Sequence, residues 1–305
     1  MTISDLTSYR LMGATVGIYS GMLHSEILPP QKKSNTKERV PRTVPKQTLT
    51  DKVPSIVFQT WKTRDGLPRN YEYWRSSFFA MNPKHEILIW DDDDNRDFIA
   101  SEFPWFLPTY DAYPQEIYRA DIVRPFFLYR YGGIYADMDT ECVQPLDALG
   151  NMGDVIIGRM GLDKSYPHSI PNAIMASRPG QLFWLFMIAL AIERFPTCIG
   201  MQVAPENLTG PVLLRDTFLE YSSLSEREIN NRISVATQGC ADRLPSKHGQ
   251  VVTLPPSLFY PIDWHNPIHA RFRRKMIRNE FILPRNVLRY LFPNALMVTY
   301  WTHSW

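Results

Sequence analysis

Tyr118 to Asp147 reads YRADIVRPFFLYRYGGIYADMDTECVQPLD, and its pattern changes halfway along. Up to Tyr131 the apolar residues recur at helical spacing, so a helix is predicted over Gln115–Tyr131. Gly132-Gly133 supplies the stop, and Ile134–Met138 reads as a short buried strand. Three acidic residues, Asp137, Asp139 and Glu141, then fall within five positions. Side chains alternate along a strand, which puts Tyr135, Asp137 and Asp139 on one face and Ile134, Ala136 and Met138 on the other.

The segments before and after this stretch extend the alternation. VPSIVFQTW (Val53–Trp61) and HEILIWDDDD (His85–Asp94) both read as strands that end in polar residues, with a helix between them around Tyr71–Met81. Asp94–Phe103 reads as a helix, Asp154–Gly158 as a strand, and Gly180–Phe195 as an apolar helix buried against the sheet. A further helix follows Thr209-Gly210-Pro211 to about Tyr221, and Val251–Phe259 and Leu296–Trp301 are read as strands. Strands alternating with helices predict an α/β fold, a mixed but mostly parallel sheet in one Rossmann-like domain over residues 53–305. Residues 1–52 are assigned to a tail and a basic, proline-broken linker, QKKSNTKERVPRTVPKQTLTDK, too polar to fold alone.

Composition excludes some functions. With 305 residues, 44% hydrophobic, the chain can bury a large core, and a formal charge of +2 argues against nucleic acid as a partner. Cys142, Cys198 and Cys240 are widely spaced and define neither a zinc site nor a disulfide framework. Asn207-Leu208-Thr209 is an N-glycosylation triplet that matters only in a secretory compartment. The uncharged stretch Leu11–Leu23 is shorter than the ~20 residues that span a bilayer, and it lacks the lysine cluster of a signal peptide.

Ligands of open α/β sheets bind at the carboxyl ends of the strands, where Asp137 and Asp139 are expected. Two unpaired carboxylates there repel each other, and a divalent cation removes that penalty. Hard oxygen donors suit Mn2+ or Mg2+, with water and substrate phosphates completing the coordination. A solvated turn is the competing reading for a bare Asp-x-Asp. A phosphohydrolase or a non-catalytic glycan- or lipid-binding module would also accommodate clustered aspartates.

The Arg-Ala-Asp start, the helix, the Gly-Gly turn, Asp-x-Asp and the closing Pro-Leu-Asp together resemble the signature of the DXD-containing glycosyltransferases. That family includes the initiation-specific α-1,6-mannosyltransferase and inositol-phosphoceramide mannosyltransferases. The likeness extends more loosely to VPSIVFQTWK, NPKHEILIWDDD, NAIMASRPG and TGPVLL. It implies the nucleotide-sugar-binding fold known as GT-A, a nucleotide-sugar donor, Mn2+ (or Mg2+), and a glycan or glycolipid acceptor. The expected reaction is hexosyl transfer, with mannose from GDP-mannose first and UDP-glucose or UDP-galactose as the alternative. The family retains anomeric configuration, but no carboxylate stands out as a nucleophile, so the stereochemical path stays open.

By this resemblance Asp139 would hold the metal, and Asp137 would contact the donor ribose and metal-bound water. Asp121 and Arg124, three apart on one helix face, would grip the donor sugar and offset diphosphate charge. Trp61 would stack on the base; Arg119, Tyr135 and Asn172 join it as donor contacts, and Gln59 and Thr60 are minor candidates. His303 would be a third metal ligand, favouring Mn2+, and Trp305 would close over the diphosphate, although YWTHSW matches the family's ending only in part. Pro125 departs from the pattern, and a helix-interior proline, costing about 3 kcal/mol, predicts a kink that re-aims Arg124.

Two other charged runs have ordinary explanations. Asp91–Asp94 precedes a helix and is read as its N-cap rather than a rival metal site. RFRRKMIR places Arg271, Arg273, Arg274, Lys275 and Arg278 on a basic helix, read as a solvated face or a contact for anionic membrane head groups. Location follows from the same resemblance: Golgi lumen or membrane-associated, or cytoplasmic if the N-terminus is not a targeting segment.

Overall fold

The structure, a computed structural model, describes residues 51–195, 203–242, 244–263, 266–277 and 282–302. Expectations for Leu11–Leu23, Cys198, Arg278, His303 and Trp305 fall outside these residues, as does nearly all of the basic linker.

Ten strands and α-helices, with one 3-10 helix (Leu146–Asn151) between the eighth and the ninth, lead from the start of the described chain to the second half of the sheet. They are β1 (Ile56–Thr60), α1 (Arg69–Met81), β2 (Glu86–Trp90), α2 (Asp92–Glu102), α3 (Leu107–Ala112), α4 (Glu116–Tyr131), β3 (Gly133–Ala136), β4 (Thr140–Cys142), β5 (Val155–Gly158) and β6 (Ile174–Ser177). Helices α5 (Leu182–Arg194), α6 (Pro205–Leu208), α7 (Pro211–Tyr221) and α8 (Glu226–Ala236) follow, then β7 (Val251–Leu254), α9 (Pro256–Phe259), α10 (Pro267–Ile277), α11 (Arg285–Leu291) and β8 (Met297–Thr299). Among them no helix is long and apolar enough to cross a membrane.

Six strands form the main sheet in the order β2-β1-β3-β6-β5-β7. The β1–β2, β1–β3 and β5–β7 pairings are parallel, while β6 runs antiparallel to both β3 and β5. The sheet is therefore α/β and mostly parallel, as expected. Period-two alternation divides the core: Ile56, Phe58, Tyr135, Ile157 and Met175 face the layer of α2 to α5, and Val57, Ile134, Ile156 and Ile174 face the opposite side. Phe58 stacks on Phe127 at 5.2 Å and on Tyr131 at 5.8 Å, which locks α4 onto β1.

The Gly132-Gly133 stop follows from close packing. Gly132 and Gly133 have φ of +65° and +89°, and a Cβ on either would lie 2.7 Å from backbone oxygen, that of Ser177 or Ile56 respectively. No side chain fits there, so the helix can turn straight into the centre of the sheet.

Three expectations are corrected. First, β3 ends at Ala136, and Asp137–Asp139 form a turn closed by the Thr140 amide donating to the Asp137 carbonyl at 3.0 Å. The two aspartates thus owe their common direction to this turn and not to strand alternation. Second, α4 runs unbroken through Pro125, with Arg124 helical; the side chain of Arg124 itself donates to the Ala120 carbonyl at 3.2 Å. Packing of a largely buried helix outweighs the lost bond. Third, Val251–Phe259 divides into β7 and the short α9 at Pro255-Pro256, where a strand cannot continue.

Because β6 is reversed, its first residues lie beside the ends of β1 and β3. Ala136 pairs with Ile174, and the Asp137 amide donates to the Ala173 carbonyl at 2.8 Å. Thr60–Lys62, Asp137–Asp139, Met160 and Asn172–Ala173 converge on one edge of the sheet, and a cavity opens there.

Candidate active site

The cavity has two lobes that share Ile117, Arg124, Asp137 and Asp139. The first, about 240 Å³, is walled by Thr60, Trp61, Lys62, Tyr71, Asp92 and Glu116. The second, about 90 Å³, is walled by Asp121, His168, Asn172, Glu206 and Trp301 among apolar residues.

Arg124 stands between them, 4% exposed. One guanidinium nitrogen, Nη2, lies 2.9 Å from Asp121 Oδ1 and 3.2 Å from Asp137 Oδ1. Nη1 donates to the Asn172 carbonyl at 3.1 Å, and the guanidinium carbon lies 4.7 Å from the centre of the Tyr135 ring. Asn172 Nδ2 donates to Asp121 Oδ1 at 3.1 Å, and the Tyr135 hydroxyl donates to Asp137 Oδ1 at 2.8 Å. The network joins α4, β3 and the approach to β6, so the site is held by contacts between the helix and two strands of the sheet.

Burial pushes the carboxyls of Asp121 and Asp137 up to about 6, against the pull of Arg124. Asp139 is also pushed up by burial, and the Thr302 amide and hydroxyl draw it back down. Burial opposes the charge of Arg124, but Asp137, Tyr135, Asp121 and Asp139 hold its pKa above the usual guanidinium range. Two neighbouring anions that burial disfavours constitute a site where one more positive charge is stabilising.

Among the described residues no group of three or more His, Cys, Asp or Glu side chains is placed to hold a metal. Asp137 and Asp139 offer two hard oxygen donors on the wall of a cavity, a donor set that fits Mn2+ or Mg2+ when phosphate and water complete it.

Asp121, Arg124, Asp137, Asp139, Asn172 and Trp61 all reach the cavity. Trp61 sits against Tyr71, ring centres 4.7 Å apart. Arg119 and Tyr135 line neither lobe. Arg119 is tied to Glu116 and to the Tyr113 carbonyl, whereas Tyr135, wholly buried, bonds Thr60 and Asp137 and so supports the wall from behind. Thr60 lines the first lobe; Gln59 is fully buried and lines neither.

Asp91 and Asp94 form the expected capping box, Asp94 N to Asp91 Oδ1 at 2.9 Å and Asp91 N to Asp94 Oδ2 at 3.0 Å, with Arg64 paired to both. Their neighbour Asp92 instead faces the first lobe, and burial, with Glu116 and Asp91 adding repulsion, raises it to about 6. Sequence reasoning missed Tyr71, Asp92, Glu116, Glu206 and Thr302. Only Glu116 carried a local signal, since it opens the motif-bearing helix one turn before Arg119.

Gly210 explains part of the TGPVLL likeness. A Cβ there would lie 2.9 Å from Glu206 Cα and 3.1 Å from Asp121 Oδ2. The start of α7 can therefore press against Asp121 only because this residue has no side chain.

Residues 68–156, which contain this helix, turn and acidic pair, match the glycosyltransferase sugar-binding region containing a DXD motif. That segment is therefore similar to the DXD glycosyltransferases. Inositol phosphoceramide mannosyltransferase 3 of Schizosaccharomyces pombe is 38% identical over 184 residues, 60% of this chain and 49% of that protein. Mannosyl phosphorylinositol ceramide synthase CSH1 of Saccharomyces cerevisiae is 30% identical over 183 residues, 60% of this chain and 47% of that one. The chain thus spans about half the length of the curated relatives it matches. A solved structure, PaToxG glycosyltransferase, is similar at a TM-score of 0.46 and 16% identity, over 64% of this chain and 81% of that one.

Proposed function

We propose that the protein is a metal-dependent mannosyltransferase that moves mannose from GDP-mannose to a hydroxyl of a phosphoinositol-bearing sphingolipid. The observation that carries this reading is Arg124: a buried cation placed between Asp121 and the acidic turn, where the two lobes of the cavity meet. The named activities of the relatives support mannose and the lipid acceptor.

The first lobe suits the nucleotide. Trp61 offers a flat face for the base, and Lys62 a charge beside it. Asp137 and Asp139 would hold the cation, which when bound supplies charge stabilisation to the departing diphosphate. Arg124 fixes Asp137 in place and adds positive potential at the boundary where the sugar would leave. Asp121, oriented by Arg124 and Asn172, presents a carboxylate to the second lobe, suited to sugar hydroxyls. The apolar walls of that lobe, Met160, Pro171, Ala173 and Trp301, limit the water that would otherwise compete with the acceptor.

The proposal includes a membrane-associated setting in the Golgi lumen, in keeping with a lipid acceptor. Arg271, Arg274 and Lys275 on α10 are exposed and would meet anionic head groups. Arg273 has a different role, since its Nη1 donates to the Trp301 carbonyl at 2.8 Å beside the cavity.

The test is Asp139→Asn, assayed for Mn2+-dependent release of GDP from GDP-mannose. The variant should fold as wild type and lose at least about 100-fold in rate, the scale of removing charge stabilisation from a leaving group. Undiminished release would remove the cation from the proposal. Cleavage of simple phosphate esters by wild type would favour a phosphohydrolase.

A further inference from the structure

We propose that Tyr71 is a positioning residue for cation binding, acting on Asp139 through the hydroxyl of Thr302. The inference rests on the reading of Asp137 and Asp139 as cation-holding carboxylates, and deepens it.

The Tyr71 hydroxyl donates to Thr302 Oγ1 at 2.7 Å, and Thr302 Oγ1 donates to Asp139 Oδ2 at 2.9 Å. The Thr302 amide donates to the same oxygen at 2.7 Å. A threonine hydroxyl has one proton. When its oxygen accepts from Tyr71, that proton is directed to Asp139 and is not free to rotate elsewhere. Two donors then pin the carboxylate through one oxygen.

Both ends of this chain are held firmly. Tyr71 is 4% exposed, its ring 4.7 Å from Trp61 and 5.1 Å from Trp74. The segment carrying Thr302 is secured by β8 pairing with β4, by the Tyr300 amide donating to the Asp139 carbonyl at 2.9 Å, and by Trp301 Nε1 donating to the Ile262 carbonyl at 2.9 Å. Tyr71, Thr302 and Asp139 all line the first lobe, so the chain lies on the wall where the cation would bind. Preorganised donors of this kind make a ligand-holding side chain effective without reorganisation on binding.

The experiment is a Mn2+ titration of the full chain followed by thermal unfolding, for wild type, Asp139→Asn, Tyr71→Phe, Thr302→Val, Thr302→Ser and the Tyr71→Phe/Thr302→Val pair. Tyr71→Phe keeps the ring between its tryptophans and removes only the hydroxyl. It should raise the half-saturating Mn2+ concentration roughly fivefold, about what one net hydrogen bond supplies. Thr302→Val should do the same, Thr302→Ser should keep the wild-type value, and the pair should be no worse than Thr302→Val alone. An unchanged Mn2+ requirement in Tyr71→Phe, even with a lower metal-free unfolding midpoint, overturns the relay, as do losses that multiply in the pair. If wild type and Asp139→Asn respond to Mn2+ alike, the cation reading itself fails and the relay falls with it.

Discussion

Asp137 and Asp139 are two residues apart and are held by different parts of the molecule. Asp137 is fixed from within the sheet, by Arg124, Tyr135 and the Ala173 carbonyl. Asp139 is fixed by Thr302, 163 residues further along the chain. The first carboxylate, half-buried itself, is therefore tied to the buried Arg124, and disturbing that pair should disturb folding. The second depends on a late segment docking against a turn, and disturbing it should change ligand binding more than stability.

Removing Arg124 tests the first half of this contrast and should have the largest effect. Arg124→Met would leave the buried Asp121 and the half-buried Asp137 without their cation. Breaking a buried pair from one side costs about 3–5 kcal/mol, to be read by urea unfolding. Arg124→Lys should recover only part of this, because an ammonium cannot reach Asp121, Asp137 and the Asn172 carbonyl together. A loss under about 1 kcal/mol for Arg124→Met would mean that the Arg124 pairing with Asp121 and Asp137 does not hold the fold in the sense argued.

Gly210→Ala probes the other side of the same network without removing any charge. The new methyl meets Glu206 Cα and Asp121 Oδ2, so α7 or Asp121 has to shift by a few tenths of an ångström. Overpacking of this size costs about 1–3 kcal/mol. If Asp121 faces the donor as proposed, release of GDP from GDP-mannose should fall roughly tenfold, since misplacement of such a group is felt more in rate than in folding. Wild-type rates in this variant would detach Asp121 from the donor.

The same contrast explains what could be read from sequence. Asp121 and Arg124 share one helix, and Asp137 follows the Gly-Gly stop and the four-residue β3 directly, so helical spacing and turn chemistry bring all three close along the chain, although the turn after β3 and not strand alternation aims Asp137. The support of Asp139 could not be read that way. Strands β4 and β8 contribute three residues each, too short for any period, and only the partial resemblance of YWTHSW, through His303, pointed from this segment to residue 139. Strand β6 was missed because IMAS lacks the β-branched run that marks VIIG in β5, and its antiparallel pairing with β3 and β5 is what defines it. Asp92 was hidden inside a capping run whose flanking members do cap the helix.

Asp92 supplies the smallest and most selective test, because it faces the first lobe yet anchors neither aspartate of the motif. Its folded pKa is raised to about 6, chiefly by burial and then by Glu116 and Asp91. The folded protein therefore holds this proton more tightly than the unfolded chain, whose Asp titrates near 3.9. It follows that Asp92 opposes stability as pH rises from about 4 to 6, and that the full cost is present above 6. Partial exposure and solvent screening limit that cost to about 1 kcal/mol. Asp92→Asn should thus stabilise the protein by about that amount at pH 7.5 and by almost nothing at pH 4, as read by urea unfolding at the two values. Its half-saturating Mn2+ concentration should stay at the wild-type value, since the carboxylates that would hold the cation lie elsewhere on the wall. A shift as large as that expected for Tyr71→Phe would place Asp92 among the cation-holding residues, and the division between a core-built and a tail-built carboxylate would then have to include a third.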